Sequence, residues 1–302
     1  MLYEVEPGQV IVNYGPVYLN IRAESAGQAA HEAAVQGAQA AITAFEEVAR
    51  FLEVAKGEGQ GIVLDSDYPA VLQRMISAVC AVGDPTLTPL AAVAGAIADV
   101  AAEASVRQGA DKVVVDNGGD ISIRIEGSES VTVGIVTDLG HASCSYRVRI
   151  DASSGIKGVA TSGLRGRGLT KGIASAAVAF CSSGALADAC ATYLGNAANV
   201  DHPAVKRGLA EQIDPNTDIR GHRVVVGVGE LPEEACRQAL TNGVSEVDRL
   251  VRKGILLGAL ITVRGLLAVR GKTIERCCWP AMVQSRLYGQ NEEVEQWRHE
   301  RP

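Results

Sequence analysis

The chain has 302 residues, 35 of them acidic and 28 basic, for a formal net charge of -7. A composition of 47% hydrophobic and 21% charged residues, with 33 Gly and 10 Pro, excludes collagen-like, disordered and disulfide-scaffold classes. The acidic balance argues against a nucleic-acid or anionic-membrane partner and leaves room for a local basic cluster that binds a small anion. Only 4% of residues are aromatic, so little surface is available for stacking a base or a flavin ring.

In chain order, residues 9–23 alternate β-branched or aromatic residues with polar ones around Gly15-Pro16, a hairpin pattern. Ser25 reads as the N-cap of a long Ala-rich helix to Val54, ended by the glycine-rich stretch 57–61. A second helix is predicted from Tyr68 to Val82, closed by Gly83-Asp84-Pro85, and a third from Pro89 to Gly109. Lys112–Val115, Ile121–Ile125, Val131–Val136 and Arg147–Ile150 read as a meander of strands, and 153–172 as a loop rich in Gly, Ser and Thr.

Further on, Ala174–Phe180 is a predicted strand and Ala185–Leu194 a short helix. Val224–Val228 reads as a strand, Pro232–Asn242 and Val244–Lys253 as two helices, and Leu256–Val269 as a strand pair turning at Gly265. From Glu275 onward the chain is charged and unpatterned. The expected organisation is one α+β domain over 1–274 and a charged C-terminal arm over 275–302.

The seven cysteines are odd in number and none form C-x-x-C, which points to reduced thiols. The N-terminal stretch lacks the pattern of a signal peptide, and apolar runs such as Leu90–Val100 are short for a bilayer span, so a cytoplasmic location without membrane is expected. Small-residue helices leave a homo-oligomer open.

Three segments carry candidate chemistry. Asp116-Asn117-Gly118-Gly119-Asp120 offers successive backbone N–H groups flanked by polar side chains, able to fix a hydroxyl or cation; the bland alternative is a hairpin turn. Thr161-Ser162-Gly163, followed by Arg165, Arg167 and Lys171, gathers hydroxyls and cations suited to phosphate or carboxylate; the alternative is a solvated basic loop. Asp188 and Thr192 lie one helical turn apart and form a partial Mg²⁺ site, or else an acid serving the helix dipole and an inward hydroxyl. Cys181 and Cys190 are either reactive thiols or small buried side chains.

In order, these segments resemble the ApbE superfamily, named for FAD:protein FMN transferases. The resemblance is to the branch with an AAVAGAIA stretch, here Ala91–Ala98, an NGGDI turn at Asn117–Ile121, a Thr/Ser-Ser-Gly loop at Thr161–Gly163 and an ADAxAT helix at Ala187–Thr192. It implies an ApbE-like fold and, in the transferases, Mg²⁺ acting on the FAD pyrophosphate. Carried over, Asp188, Thr192 and the Ala94 carbonyl would hold the metal, and Asp188, Thr161 and Ser162 would be catalytic. Asn117, Gly118, Gly119, Asp120 and Gly163 would face an FAD or FMN nucleotide, and Arg165, Arg167 and Lys171 of the basic loop are the expected substitute anion binders for it.

Two departures stand out. Gly95 occupies the place of a phosphate-facing lysine, and no histidine or D-P-x-T-G stretch intervenes between the loop and the metal helix. The expected ligand is therefore a flavin nucleotide or a smaller carboxylated, N-heterocyclic metabolite, with doubt cast on standard FMN transfer. The alternatives are a sulfur- or persulfide-handling protein using Cys181 or Cys190, and a non-catalytic binding module.

Overall fold

A computed structural model describes residues 2–57, 63–138 and 144–281. The strands and helices follow in the order β1 (Leu2–Glu6), β2 (Gln9–Tyr14), β3 (Val17–Ser25), β4 (Gln28–Ala29), α1 (His31–Arg50), α2 (Leu52–Ala55), α3 (Ala70–Val82), α4 (Val93–Arg107), β5 (Lys112–Asn117) and β6 (Asp120–Ile125). They continue as β7 (Ser130–Ile135), β8 (Tyr146–Asp151), β9 (Gly158–Ser162), β10 (Ala176–Cys181), α5 (Gly184–Ala197), β11 (Val205–Leu209), α6 (Ala210–Ile213) and β12 (Arg223–Val228). The last are α7 (Glu233–Arg252), β13 (Gly258–Val263), β14 (Leu266–Arg270), α8 (Lys272–Cys277) and β15 (Cys278–Pro280). A 3-10 turn, Pro89–Ala92, leads into α4.

The fold is α+β, as expected. One ten-stranded antiparallel sheet runs β1-β2-β3-β5-β6-β9-β10-β13-β14, with β4 paired to β3; β15-β8-β7 form a second sheet and β11-β12 a third. Strand β10 shows why the sheet is buried on both sides. Ala177, Ala179 and Cys181 pack with the helices, while Val178 and Phe180 pack with Val148 and Ile150 of the small sheet. Period-two alternation thus divides small residues from large ones. On the small-residue face, α4 packs against α1, α5, β5 and β6. By length and composition Pro89–Arg107 could cross a membrane, yet Ala96, Ile97, Ala98, Asp99, Ala101 and Ala102 are buried inside this fold.

Several elements differ from the sequence reading. Ser25 ends a strand rather than capping a helix, because Ala26 and Gly27 take left-handed conformations (φ 51° and 73°) and turn the chain back into β4. The predicted loop 153–172 contains β9, which pairs with both β6 and β10, so Thr161 and Ser162 are strand residues. The two helices predicted over 232–253 are the single α7. Gly243 does not break it: a methyl there would stand 3.0 Å from Ile261 Cδ1 and 3.1 Å from Ala198 Cβ, so the glycine permits close packing. Residues 272–280 are built into the fold, with β15 paired to β8. The rest of the predicted arm, 282–302, and the glycine stretch 58–61 lie outside the described residues.

Candidate active site

The site is organised by two helix N-termini that exchange carboxylates. Asp99, buried inside α4, accepts the Gly184 N–H on Oδ1 (2.9 Å) and the Ala185 N–H on Oδ2 (2.9 Å) at the start of α5. In return Asp188, inside α5, accepts the Gly95 N–H at 3.0 Å, near the start of α4. Each carboxylate satisfies N–H groups left without intrahelical partners and sits at the positive end of the other helix's dipole. The exchange demands close approach. A methyl on Gly95 would lie 2.2 Å from the Gly184 carbonyl oxygen, and one on Gly184 would lie 2.7 Å from that of Gly95.

Gly95 therefore stands at a backbone crossing, which explains in packing terms why no lysine occupies it. Gly95→Ala is expected to cost at least about 3 kcal/mol, at or beyond the upper end of overpacking effects because the clash is with backbone. A denaturant midpoint within error of the parent protein would show that the two helices are free to separate.

Beside this crossing, Asn117 and Asp120 close the β5–β6 hairpin through Gly118 and Gly119 at positive φ (69° and 105°). Asp116 Oδ1 accepts the Gly119 N–H at 2.8 Å, and Asn117 Nδ2 donates to the Ala94 carbonyl at 3.1 Å. The hairpin is thus pinned to α4, so it is both a turn and a wall of the cleft. Gly118 also seats Arg167: a methyl there would come within 2.4 Å of a guanidinium nitrogen. Asp120 faces Asp188 and Asp116. Burial and these like charges push its carboxyl well above the usual range, against the pull of the Thr161 N–H and Arg167. Burial also raises Asp188, to about 7, although backbone N–H groups of Gly95 and Ala94 oppose it.

Next to Asp120, β9 delivers Thr161 and Ser162, and the chain then leaves the sheet at Gly163, where a methyl would meet the Ala174 carbonyl at 2.9 Å. Arg165 takes a left-handed conformation (φ 65°), and both it and Arg167 are exposed. Lys171 is held by a relay: its Nζ donates to Thr86 Oγ1 at 2.7 Å, and that hydroxyl donates to Asp84 Oδ1 at 2.8 Å.

These residues surround one cleft of about 1120 Å³, which every sequence-predicted site residue lines, Ala94 and Thr192 included. Its lining also includes the apolar side chains of Pro16, Val17, Phe45, Val48 and Leu52. The sequence reading missed one wall. A D-P-x-T stretch does occur, as Asp214-Pro215-Asn216-Thr217, beyond α5 rather than before it, and the fold returns it to the cleft. Asp218 accepts the Thr88 hydroxyl, and Lys56 Nζ donates to the Asn216 carbonyl at 3.0 Å. Asp99 was also missed; an acid inside the apolar run Ala96–Ala102 was its available signal.

The thiols do not share this site. Cys181 and Cys190 are both buried, and burial together with a contact to Cys190 raises the Cys181 thiol well above its ordinary value. Of the two sequence readings, burial favours the small buried side chain over the reactive thiol, since a nucleophilic thiolate needs access and a lowered pKa. For a divalent cation, the Asp188 carboxylate, Thr192 hydroxyl and Ala94 carbonyl are hard oxygen donors of the kind Mg²⁺ takes. Among the described residues no three His, Cys, Asp or Glu side chains gather into a metal cage. The donor set fits the Mg²⁺ mode in which waters and ligand phosphates complete the shell.

A helix-backed antiparallel sheet with this cleft defines the class: an ApbE-type flavin-transferase fold. The chain is similar to the apo form of the flavinyl transferase ApbE of Pseudomonas stutzeri, with a TM-score of 0.50 at 14% identity, over 92% of this chain and 97% of the other. The family model described as "AbpE bacteria" matches residues 3–272, and the chain belongs to that family. Among curated relatives it is 35% identical over 164 residues to a UPF0280 protein of Methanococcoides burtonii, covering 54% of this chain and 66% of the relative. It is 32% identical over 185 residues to a UPF0280 protein of Methanococcus aeolicus, covering 57% and 71%. The chain thus spans just under two thirds of the first of these relatives.

Proposed function

We propose that the protein is a cytoplasmic enzyme whose cleft binds a flavin-nucleotide-class anion together with Mg²⁺. The observation that carries this reading is the gathering of carboxylates and cations in the lining of one cleft: Asp116, Asp120 and Asp188 together with Arg165, Arg167 and Lys171. Burial holds the Asp188 carboxyl near 7, and burial with the nearby Asp188 and Asp116 charges holds Asp120 well above the usual range; a bound cation would relieve that cost, and a pyrophosphate favours both that cation and the basic loop. The volume exceeds what a small metabolite needs and suits a dinucleotide.

Asp188, Thr192 and the Ala94 carbonyl would hold Mg²⁺, which supplies Lewis-acid activation of a phosphoryl oxygen. Lys171, fixed by Thr86 and Asp84, would meet phosphate oxygens as a placed point charge. Arg165 and Arg167 would close over the ligand from the exposed loop. A smaller carboxylated, N-heterocyclic ligand is the second reading, supported by the absence of a lysine at Gly95. Persulfide handling is disfavoured by the burial of Cys181 and Cys190.

The test is thermal unfolding with FAD and MgCl₂ added separately and together. The two together are expected to raise Tm of the parent protein by several degrees, and Asp188→Ala is expected to abolish that shift. No shift in the parent protein, or an unchanged shift in Asp188→Ala, would remove the flavin–Mg²⁺ assignment and leave the smaller anion.

A further inference from the structure

The Arg165 loop has a second side. A second cavity of about 790 Å³ is bounded by Leu164 and Arg165, by β12, and by the β13–β14 hairpin. Arg165 lines both cavities. Three non-glycine residues among those described adopt positive φ: Ala26, Arg165 and Arg264. Two of the three are arginines facing this one cavity.

Arg264 occupies the first position of the two-residue turn between β13 and β14, where Asn or Gly is the unstrained choice, at φ 50° with Gly265 at 84°. Its guanidinium is fixed by the Val228 and Gly229 carbonyls at 2.9 and 2.8 Å, both accepting from Nη2. Among the described residues these two carbonyls are the partners of its guanidinium, and neither Arg264 nor Arg165 has a carboxylate partner there. Strain held at charged side chains that converge on a cavity marks a functional position.

We propose that this second cavity is a separate ligand site for a small organic carboxylate with an apolar body. The charged lining is Arg165, Arg264 and Asp138, a net positive charge in a protein of net charge -7. An oxyanion matches the planar donors of guanidinium groups. The opposite walls are apolar, with Leu164 and Val225 inside and Val226 and Leu267 at the mouth, 50% and 37% exposed. Those exposed side chains give an apolar body surface to cover, and that separates this ligand from a bare inorganic anion. Because Arg165 borders both sites, a ligand here and an anion in the main cleft compete for one guanidinium. Occupancy of one site is therefore expected to weaken the other.

The test uses the full chain titrated with sodium benzoate, with inorganic phosphate and with sodium chloride at matched ionic strength, read by calorimetry. Benzoate is expected to bind saturably and at least several-fold tighter than phosphate. Leu267→Glu, which places a negative charge at the mouth, is expected to weaken benzoate at least tenfold while leaving the FAD–Mg²⁺ stabilisation intact. Should that variant fail to fold, Val226→Glu on the facing wall carries the same expectation. A response no greater than that to chloride, phosphate binding as tightly as benzoate, or full benzoate affinity in the glutamate variant would overturn the proposal. None of these outcomes bears on the main cleft, whose reading stands or falls with Asp188→Ala.

Discussion

Asp99→Ala is expected to lower the unfolding free energy by about 3–5 kcal/mol, the range for removing one partner of a buried charge pair. The carboxylate is fully buried, and every oxygen is committed. Beyond the two α5 N–H groups it accepts the Ser122 hydroxyl at 2.6 Å and Arg124 Nη2 at 3.1 Å. Arg124 in turn reaches Glu103 at 3.3 Å, and Glu103 takes a bidentate pair from Arg74 at 2.8 and 2.7 Å. Truncation leaves two helix N–H groups and a half-buried guanidinium without their acceptor, so the loss exceeds that of a surface ion pair.

The same carboxylate sets the angle at which α5 leaves β10, and hence where Asp188 stands. Asp99→Ala is therefore also expected to weaken FAD–Mg²⁺ stabilisation, although Asp99 does not line the cleft. Equilibrium urea unfolding measures the first effect. A loss below about 1 kcal/mol, the level of an exposed pair, would mean that water or a rearranged Ser122 replaces the carboxylate.

The division between what was legible and what was not follows from the range of each signal. The NGGD turn, the Asp188–Thr192 spacing and the basic run from Arg165 to Lys171 are local patterns, and the fold brings all of them to one cleft. The Ala-rich helices were visible by period, because their buried faces recur along one element. What escaped depends on residues far apart in sequence. The 95–184 crossing needs two glycines 89 positions apart to meet, and neither segment alone reveals the encounter. Strand β9 escaped because Gly158–Ser162 has no alternation to detect: it is paired on both edges, and its side chains divide between two cores. The 214–218 wall escaped because the resemblance directs attention upstream of α5, whereas the chain supplies that stretch downstream.

The second large effect is the pH dependence of Asp188. Its folded-state pKa of about 7 lies above the ordinary value near 4, so the folded protein holds this proton more tightly than the unfolded chain. Stability from this group is fully present below about pH 4 and is lost progressively as pH rises from about 4 to about 7, with no further change above. Asp188→Asn imitates the protonated carboxyl and keeps an oxygen for the Gly95 N–H, so it lacks this titration. The difference in unfolding free energy, Asn variant minus parent, is expected to grow in favour of the variant across that window and then level off. Subtraction cancels the other titrating groups, apart from Asp120, whose own elevation is due in part to the Asp188 charge and is expected to relax in the variant.

Mg²⁺ reverses the trend. A cation binds the ionised carboxylate and not the protonated one, so its stabilisation of the parent protein is expected to be weak at pH 5 and to rise toward pH 8, following mass action. Protons and Mg²⁺ then compete for the same oxygens, and the variant should show neither effect. Parallel pH profiles for parent and Asn variant, or Mg²⁺ stabilisation that ignores pH, would mean that Asp188 is an α4 cap alone. In that case the carboxylate exchange between α4 and α5 would be purely architectural, and a metal in this cleft would have to rest on Asp116 and Asp120.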